Sequence, residues 1–383
     1  MRSCLLLLLS VALGGCATQA PPPRMPTLLR DQAFLPATEP VADVDVFALS
    51  EDMRRYLHTD IARDLRDEGP ARGLLNALQR HDRLRLDYDT EQTRTAAQAF
   101  AARKGNCLSL VIMTAALAKE LGLHVSYKTV ADEDTWSRAD DLAIHSLHVN
   151  VTLEASAMSA PGLLERGPTW TVDFVPPELI PVKHTHTVSE ETIVAMYWNN
   201  RAAESLALGR IDEAYWRVRA AILRTPDYLA PYNTLAIIYL RHGDVRDAGT
   251  VLRALVQRDP RNISALSNLL IVAQRLGDLE LAARLRARLA QLDPEPPFAF
   301  YFQGQQALQR GDFLTAKALF AREVDRADYS SEFHFWLGIA NLRLGDVDEA
   351  RRQVALAVEY STTESAHALY AAKLGRLLSY GLH

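Results

Sequence analysis

Five glycines stand in register at Gly209, Gly243, Gly277, Gly311 and Gly345, each 34 residues after the last. Glycine supplies only 18 of 383 residues, so a run of equal steps like this marks an internal repeat. Asp follows four of the five, at Asp244, Asp278, Asp312 and Asp346. An alanine comes five residues after each glycine, at Ala214, Ala248, Ala282, Ala316 and Ala350. Proline comes 17 residues after the first three, at Pro226, Pro260 and Pro294. These marks spell out a helical hairpin. Glycine supplies the left-handed turn that ends one helix, the small alanine lets the second helix lie close to the first, and proline stops it. Between the marks, apolar residues recur at helical spacing, as in Tyr232, Leu235, Ala236 and Tyr239. Such hairpins bury their apolar faces only by stacking on one another. Asp328 and Thr362 stand where later prolines would fall, so sharper junctions are expected early in the array than late.

With this punctuation the segment resembles the tetratricopeptide repeat, in about five copies over 190–362, with 363–383 as a C-terminal capping helix. The resemblance implies an all-α solenoid whose first helices line a concave groove that binds a protein or peptide. Phe298 and Tyr301, and one repeat later Glu332 and Phe335, fall where groove residues fall in that family. Ordinary packing is the other reading of the same residues, because large apolar side chains on solenoid helices mostly belong to the core.

The remaining chain has to be read differently. A hydrophobic fraction of 48% with 23% charged residues is globular composition. A net charge of −5 argues against a nucleic-acid partner, which would call for a basic face. Nothing approaches the apolar run of about 20 residues that a membrane-spanning helix needs. The first 15 residues have Arg2 followed by the apolar stretch Leu5 to Leu13, the layout of a secretory signal. Leu13-Gly14-Gly15-Cys16 resembles the bacterial lipobox. That resemblance implies a lipid on Cys16 and, with Ala17 next, an outer-membrane anchor facing the periplasm. Residues 16–42 contain Pro21, Pro22, Pro23, Pro26, Pro36 and Pro40 and read as an extended tether. Of the three cysteines, Cys4 leaves with the signal and Cys16 takes the lipid, so Cys107 is the one remaining thiol. In an oxidising compartment such a thiol is either buried and inert or kept for its chemistry.

Residues 43–185 lack the repeat period. Glu51 to Arg83 is helical in pattern with a break at Gly69-Pro70. Gly105-Asn106-Cys107 opens a helix that runs to about Leu121. Three alternating strands follow, Val125 to Val130, Ser146 to Leu153 and Thr169 to Phe174. By the two-residue period, Leu147, Val149 and Val151 share one face of the second strand, while His148, Asn150 and Thr152 share the other. Asp173 lies on the polar face of the third. A cysteine at a helix start, then a histidine on a strand, then an aspartate on the next strand resembles the transglutaminase-like fold over about 84–178. The residues that carry it are Tyr88, Gly105-Asn-Cys107, Leu121-Gly-Leu123, His148-Val-Asn-Val151 and Trp170-Thr-Val-Asp173. The pattern departs from the family in Phe174, where a proline is expected, and in the loop Ser156 to Gly167, which lengthens the histidine-to-aspartate interval.

The resemblance implies an α+β, papain-like domain carrying a Cys107–His148–Asp173 triad, followed by the solenoid. The residue types suit acyl transfer. A helix N-terminus stabilises a thiolate, an imidazole exchanges the proton, and a carboxylate orients the imidazole. The expected activity is amide hydrolysis or acyl transfer on a protein or peptide, through a thioester on Cys107. Tyr88 and Gln98 are candidates for a second oxyanion donor. No cofactor is required. His184-Thr-His186 and Asp132-Glu-Asp134 read as loops rather than metal sites. The alternative is a non-catalytic assembly lipoprotein in which the thiol domain is a folded spacer.

Overall fold

The structure is a computed structural model. It describes residues 25–38, 41, 44–79, 84, 86–139, 142–154, 168–172, 174, 185–294 and 298–379. The expected signal, Cys16, Asp173, His184 and the loop 156–167 lie outside the described residues.

The N-terminal region opens with helices α1 (Glu51–Arg55), α2 (Ala62–Glu68) and α3 (Pro70–Gln79). The break falls at Gly69, whose φ of 82° has no cost without a Cβ, and Pro70 starts the next helix where it has no hydrogen bond to lose. A two-residue parallel bridge joins β1 (Asp87–Tyr88) to β2 (Lys104–Gly105), with α4 (Ala96–Ala102) between them. Helix α5 (Cys107–Glu120) is the centre of the region, and every side chain from Leu108 to Ala118 is buried. Beyond it lies an antiparallel sheet in the order β5-β4-β3-β6, with β3 (His124–Ala139), β4 (Leu142–Glu154), β5 (Thr169–Val172) and β6 (Thr185–Val188). Two stretches expected as loops are strand instead. Asp132 to Asp134 fall within β3, which runs on past the predicted end at Val130 to pair with the first half of β4. His186 falls within β6, where Thr187 pairs with Lys128 and His186 with Thr129. The sequence Thr-His-Thr-Val has a polar alternation and mostly exposed side chains, as suits an edge strand, and so lacks the apolar signal of a buried one.

The array consists of five hairpins and a final helix. The pairs are α6 (Glu190–Ala207) with α7 (Ile211–Arg224), α8 (Ala230–His242) with α9 (Val245–Arg258), and α10 (Ile263–Arg275) with α11 (Leu279–Leu292). They continue as α12 (Ala299–Gln309) with α13 (Phe313–Arg326), and α14 (Ser331–Arg343) with α15 (Val347–Glu359), before α16 (Glu364–Ser379). All five register glycines adopt positive φ, between 72° and 104°. All five register alanines are fully buried between their helices. The aspartates after the glycines cap the second helices: Asp278, Asp312 and Asp346 accept from the backbone N–H groups of Leu281, Thr315 and Glu349. Asp244 instead meets His242 Nδ1 at 2.7 Å. Helices α7, α9 and α11 each end two residues before the register proline.

Phe298, at the N-terminal boundary of α12, supplies no capping side chain. Phe298 is left-handed, at φ 64°. The carboxylate of Glu323, from the partner helix α13, accepts instead from the N–H groups of Phe300 and Tyr301 at 3.0 and 3.1 Å. This long-range cap satisfies two of the helix's orphan donors.

Residues 25–35, expected as part of an extended tether, pack on the first two hairpins. Met25, Leu28 and Phe34 are buried in the same apolar cluster as Tyr215 and Tyr239. Phe34 stacks on Tyr215 with ring centroids 3.9 Å apart and meets His242 at 4.6 Å. The backbone is held as well. Arg30 N–H donates to Tyr215 Oη, Tyr239 Oη donates to Leu28 carbonyl, Leu35 N–H donates to Asp212, and Trp216 Nε1 donates to Leu35 carbonyl, all within 2.6–2.9 Å. The segment is wound rather than extended over much of this length, with short 3-10 turns at Met25–Leu28 and Asp31–Ala33, so the extended tether expected here is a packed strap instead. Asp31 accepts from Tyr215 Oη and Arg219 Nε, and the Arg219 bond holds its carboxyl below the usual aspartate range.

Phe34→Ala is expected to lower unfolding stability by about 3 kcal/mol or more, the cost of a buried aromatic truncation, read by urea titration. A depressed aspartate contributes stability that is present above the unfolded pKa of about 4 and is lost as pH falls through the folded value. Hydrogen exchange at the Arg30 amide, taken relative to its intrinsic rate, should therefore lose protection as pH is lowered toward about 3. Asp31→Asn should remove that pH dependence.

Candidate functional site

Cys107 is the first residue of α5, half-buried and a free thiol. Asn106 sets the helix start: its side-chain oxygen accepts from Ser109 N–H at 2.9 Å and from Ser109 hydroxyl at 2.7 Å. Gly105 must be glycine for a packing reason, because a Cβ there would sit 2.7 Å from Ser109 Cβ. The Ser109 hydroxyl in turn accepts from Arg94 N–H at 2.8 Å. Asn106 Nδ2 donates to Thr93 Oγ1 at 2.9 Å.

The chain of polar contacts continues into the array. Thr93 N–H donates to Glu204 of α6 at 2.6 Å, and Arg201 holds the other Glu204 oxygen at 2.6 Å. Burial pushes the Glu204 carboxyl above its ordinary range, against the opposing pull of the Thr93 N–H and of Arg201. Asp89, buried just after β1, pairs with Arg94 at 2.8 Å and lies 3.6 Å from Lys104. Lys104 reaches Glu364, the first residue of α16, at 2.9 Å. The Glu364 bond, with Asp89 behind it, holds the Lys104 ammonium above the usual lysine range. The loop before Cys107 is thus tied to both ends of the solenoid. The links into the array join residues far apart in sequence: Thr93 and Glu204 are separated by 111 residues, and Lys104 and Glu364 by 260. Only the local caps, Thr95 with Gln98 and Asn106 with Ser109, could have been read from spacing.

His148 lies in β4 and is 3% exposed. The β3–β4 register shifts beside it, between the Thr129–Val149 and Asp134–Leu147 pairs. Val149, Val151 and Leu153 share one apolar cluster with Leu108, Val111 and Ile112 of α5, and Val151 pairs with Val172 of β5 and Tyr127 of β3. That face of the sheet is the one α5 covers. By strand alternation Asn150 and Thr152 belong to the opposite face, where Thr152 Oγ1 meets Thr171 Oγ1 at 3.1 Å. Asp173 is outside the described residues. Gln98, a candidate oxyanion donor, is committed to the Thr95 capping box, and Tyr88 is 41% exposed on β1.

The candidate groove residues resolve differently. Phe298, Tyr301 and Phe335 are 4%, 4% and 8% exposed and belong to the apolar core. Phe298 meets Phe333 at 5.4 Å, Tyr301 meets Phe320 at 6.1 Å, and Phe335 stacks on Tyr370 of α16 at 4.8 Å. Their packing reading replaces the groove reading. Glu332 is half-buried at the start of α14. On the first helices the large apolar side chains that do reach solvent include Ile271, at 40% exposure, and Phe302, at 48%. Among the described residues, no group of three or more His, Cys, Asp and Glu side chains could hold a metal, and no helix is long and apolar enough to cross a membrane.

Residues 233–297 and 301–372 match the tetratricopeptide repeat family. The C-terminal half is a tetratricopeptide repeat array. The hairpin α6–α7 precedes the matched residues but carries the same glycine and alanine marks. Similar solved structures include a thermophilic TPR protein of Thermus thermophilus, at 23% identity over 47% of this chain and 98% of that one, with a TM-score of 0.32. Yeast Tom70 is 14% identical over 49% of this chain and 40% of its own, with a TM-score of 0.36. PilF of Pseudomonas aeruginosa is 17% identical over 50% and 87%, with a TM-score of 0.31. No curated protein matches this chain.

Gly105→Ala is expected to cost about 1–3 kcal/mol by forcing Ser109 and the start of α5 apart. Ser109→Ala leaves Arg94 N–H without its partner, at about 1–3 kcal/mol. Thermal unfolding of both variants against wild type checks the pair.

Proposed function

We propose that the protein is a protein-docking scaffold of the bacterial cell envelope, anchored through a lipid on Cys16 and engaging its partner through the first-helix face of the repeats. The observation that carries this reading is the regular stacking of hairpins α6 to α15, a surface built by repetition and suited to an extended polypeptide. Ile271 and Phe302 supply exposed apolar contacts on α10 and α12. The N-terminal α+β region serves as a rigid joint: its core is continuous with α6, and its polar network reaches both ends of the array.

Thiol chemistry on an amide is the second reading, and its specific support is Cys107 itself, half-buried at the N-terminus of α5. In this reading the thiolate attacks an amide carbonyl, the amine leaves with a proton from the imidazole, and water hydrolyses the thioester.

Two measurements separate the readings. A photo-crosslinking side chain placed at Ile271 or Phe302 should give one discrete protein adduct in the envelope of the native host, while the same group at Leu314, 71% exposed on the second helix α13, gives none. Equal labelling from all three positions would contradict docking on the first-helix face. For Cys107, the rate of alkylation by iodoacetamide at neutral pH should be unchanged in His148→Ala. A fall of about tenfold or more, some 1.4 kcal/mol in barrier, would establish imidazole activation and the hydrolase reading.

A further inference from the structure

The N-terminal region meets the array in two places of opposite character. At the near end the junction is apolar: Ile193, Ala195, Tyr197 and Trp198 of α6 are buried in one core with α5. At the far end it is polar. Thr90 N–H donates to Thr362 carbonyl at 3.2 Å, and the two threonine hydroxyls lie 3.0 Å apart. Glu364 N–H donates to Glu91 at 3.2 Å, and Lys104 pairs with Glu364 at 2.9 Å. Thr90, Glu91, Thr362 and Glu364 are all exposed, and the Glu364 side chain is 84% so. The exposed Lys104–Glu364 pair is weak and screened by salt, and the neutral Thr90–Thr362 hydrogen bonds compete with water, whereas the apolar junction has neither weakness.

The array is also discontinuous in its core. Among the described residues, the cluster built by the first three hairpins ends with Leu285, Leu289 and Leu292 of α11. A separate cluster begins at Phe298 and takes in Tyr301, Phe320 and Phe333. The distal hairpins, with a further cluster of Phe335, Ala357 and Tyr370, form a distal body that meets the N-terminal region through the polar contacts.

We infer that these contacts form a reversible latch. When it is closed, the distal body rests against the β1 loop and the array is drawn into a ring through the N-terminal region. When it is open, the distal body swings away and the first-helix face admits an extended polypeptide segment. This step rests on the docking reading above for its occupant, but not for the motion. A partner that binds the open form better shifts the population toward it by that difference in affinity and no more. Lys104 stands two residues before Asn106, so release of Glu364 also frees one tie on the Cys107 loop.

The test is a distance measurement on the whole chain. Spin labels are placed at Ala101→Cys on α4 and Ala368→Cys on α16, both exposed, with Cys4, Cys16 and Cys107 replaced by serine. At low salt the pulsed dipolar spectrum should show one short, narrow distance. At about 1 M salt, and in Lys104→Glu, a second, longer distance should appear. Glu364→Gln, which leaves Lys104 beside Asp89, should give the same second distance, and this separates an open latch from a disturbed Cys107 loop. A distance distribution that stays single and unchanged through salt and through Lys104→Glu would overturn the latch. That outcome would leave the docking reading standing, because the crosslinking at Ile271 and Phe302 is scored independently. Failure of the crosslinks with an opening latch would reject the docking face alone.

Discussion

The apolar surface of α6 between Ile193 and Trp198 is covered by α5 and its surroundings, and the same helix begins the stack of hairpins. Because these side chains belong to one core with Leu108 to Ala118, the N-terminal region and the first hairpin are joined by burial rather than by a linker. The position of everything else follows. Glu204 lies further along the same helix, within reach of Thr93, and Thr93 and Asn106 hold the start of α5. The strap from Met25 to Leu35 adds a third layer on the next hairpins, closing Tyr215 and Tyr239 away from water and pushing both phenols above their ordinary range by burial.

The solenoid was legible because its constraints are local and repeated. A left-handed turn needs glycine at Gly243, and two helices in contact need Ala248, whatever lies elsewhere in the chain. The other register glycines and alanines fall at turns and helix contacts for the same reason. What could not be read was settled at long range. The α12 cap comes from Glu323 rather than from a residue before the helix, and Phe298, Tyr301 and Phe335 are covered by aromatic rings from neighbouring helices. Helical spacing places such residues on a face, but it does not say whether that face meets a neighbour or solvent.

The same distinction governs the thiol site. Sequence order placed Cys107 at a helix start, and Asn106 with Ser109 builds that start. Order along the chain does not specify on which side of the sheet the helix packs. Val149, Val151 and Leu153 share the apolar core with α5, and the sheet register shifts beside His148, between the Thr129–Val149 and Asp134–Leu147 pairs. The role visible for the Gly105–Cys107 turn is mechanical. It is the point where contacts from the first hairpin and from the final helix converge, so a thiol at that point reports on the joint whether or not it reacts.

Native-state hydrogen exchange reads the central claim, that α5 and α6 form one cooperative unit. The account predicts that amides in 108–118 and 193–206 share the highest protection, and that Trp198→Ala lowers both sets by the same factor. Loss of protection confined to α6, with α5 unchanged, would contradict a shared core and return the N-terminal region to the status of a separate domain.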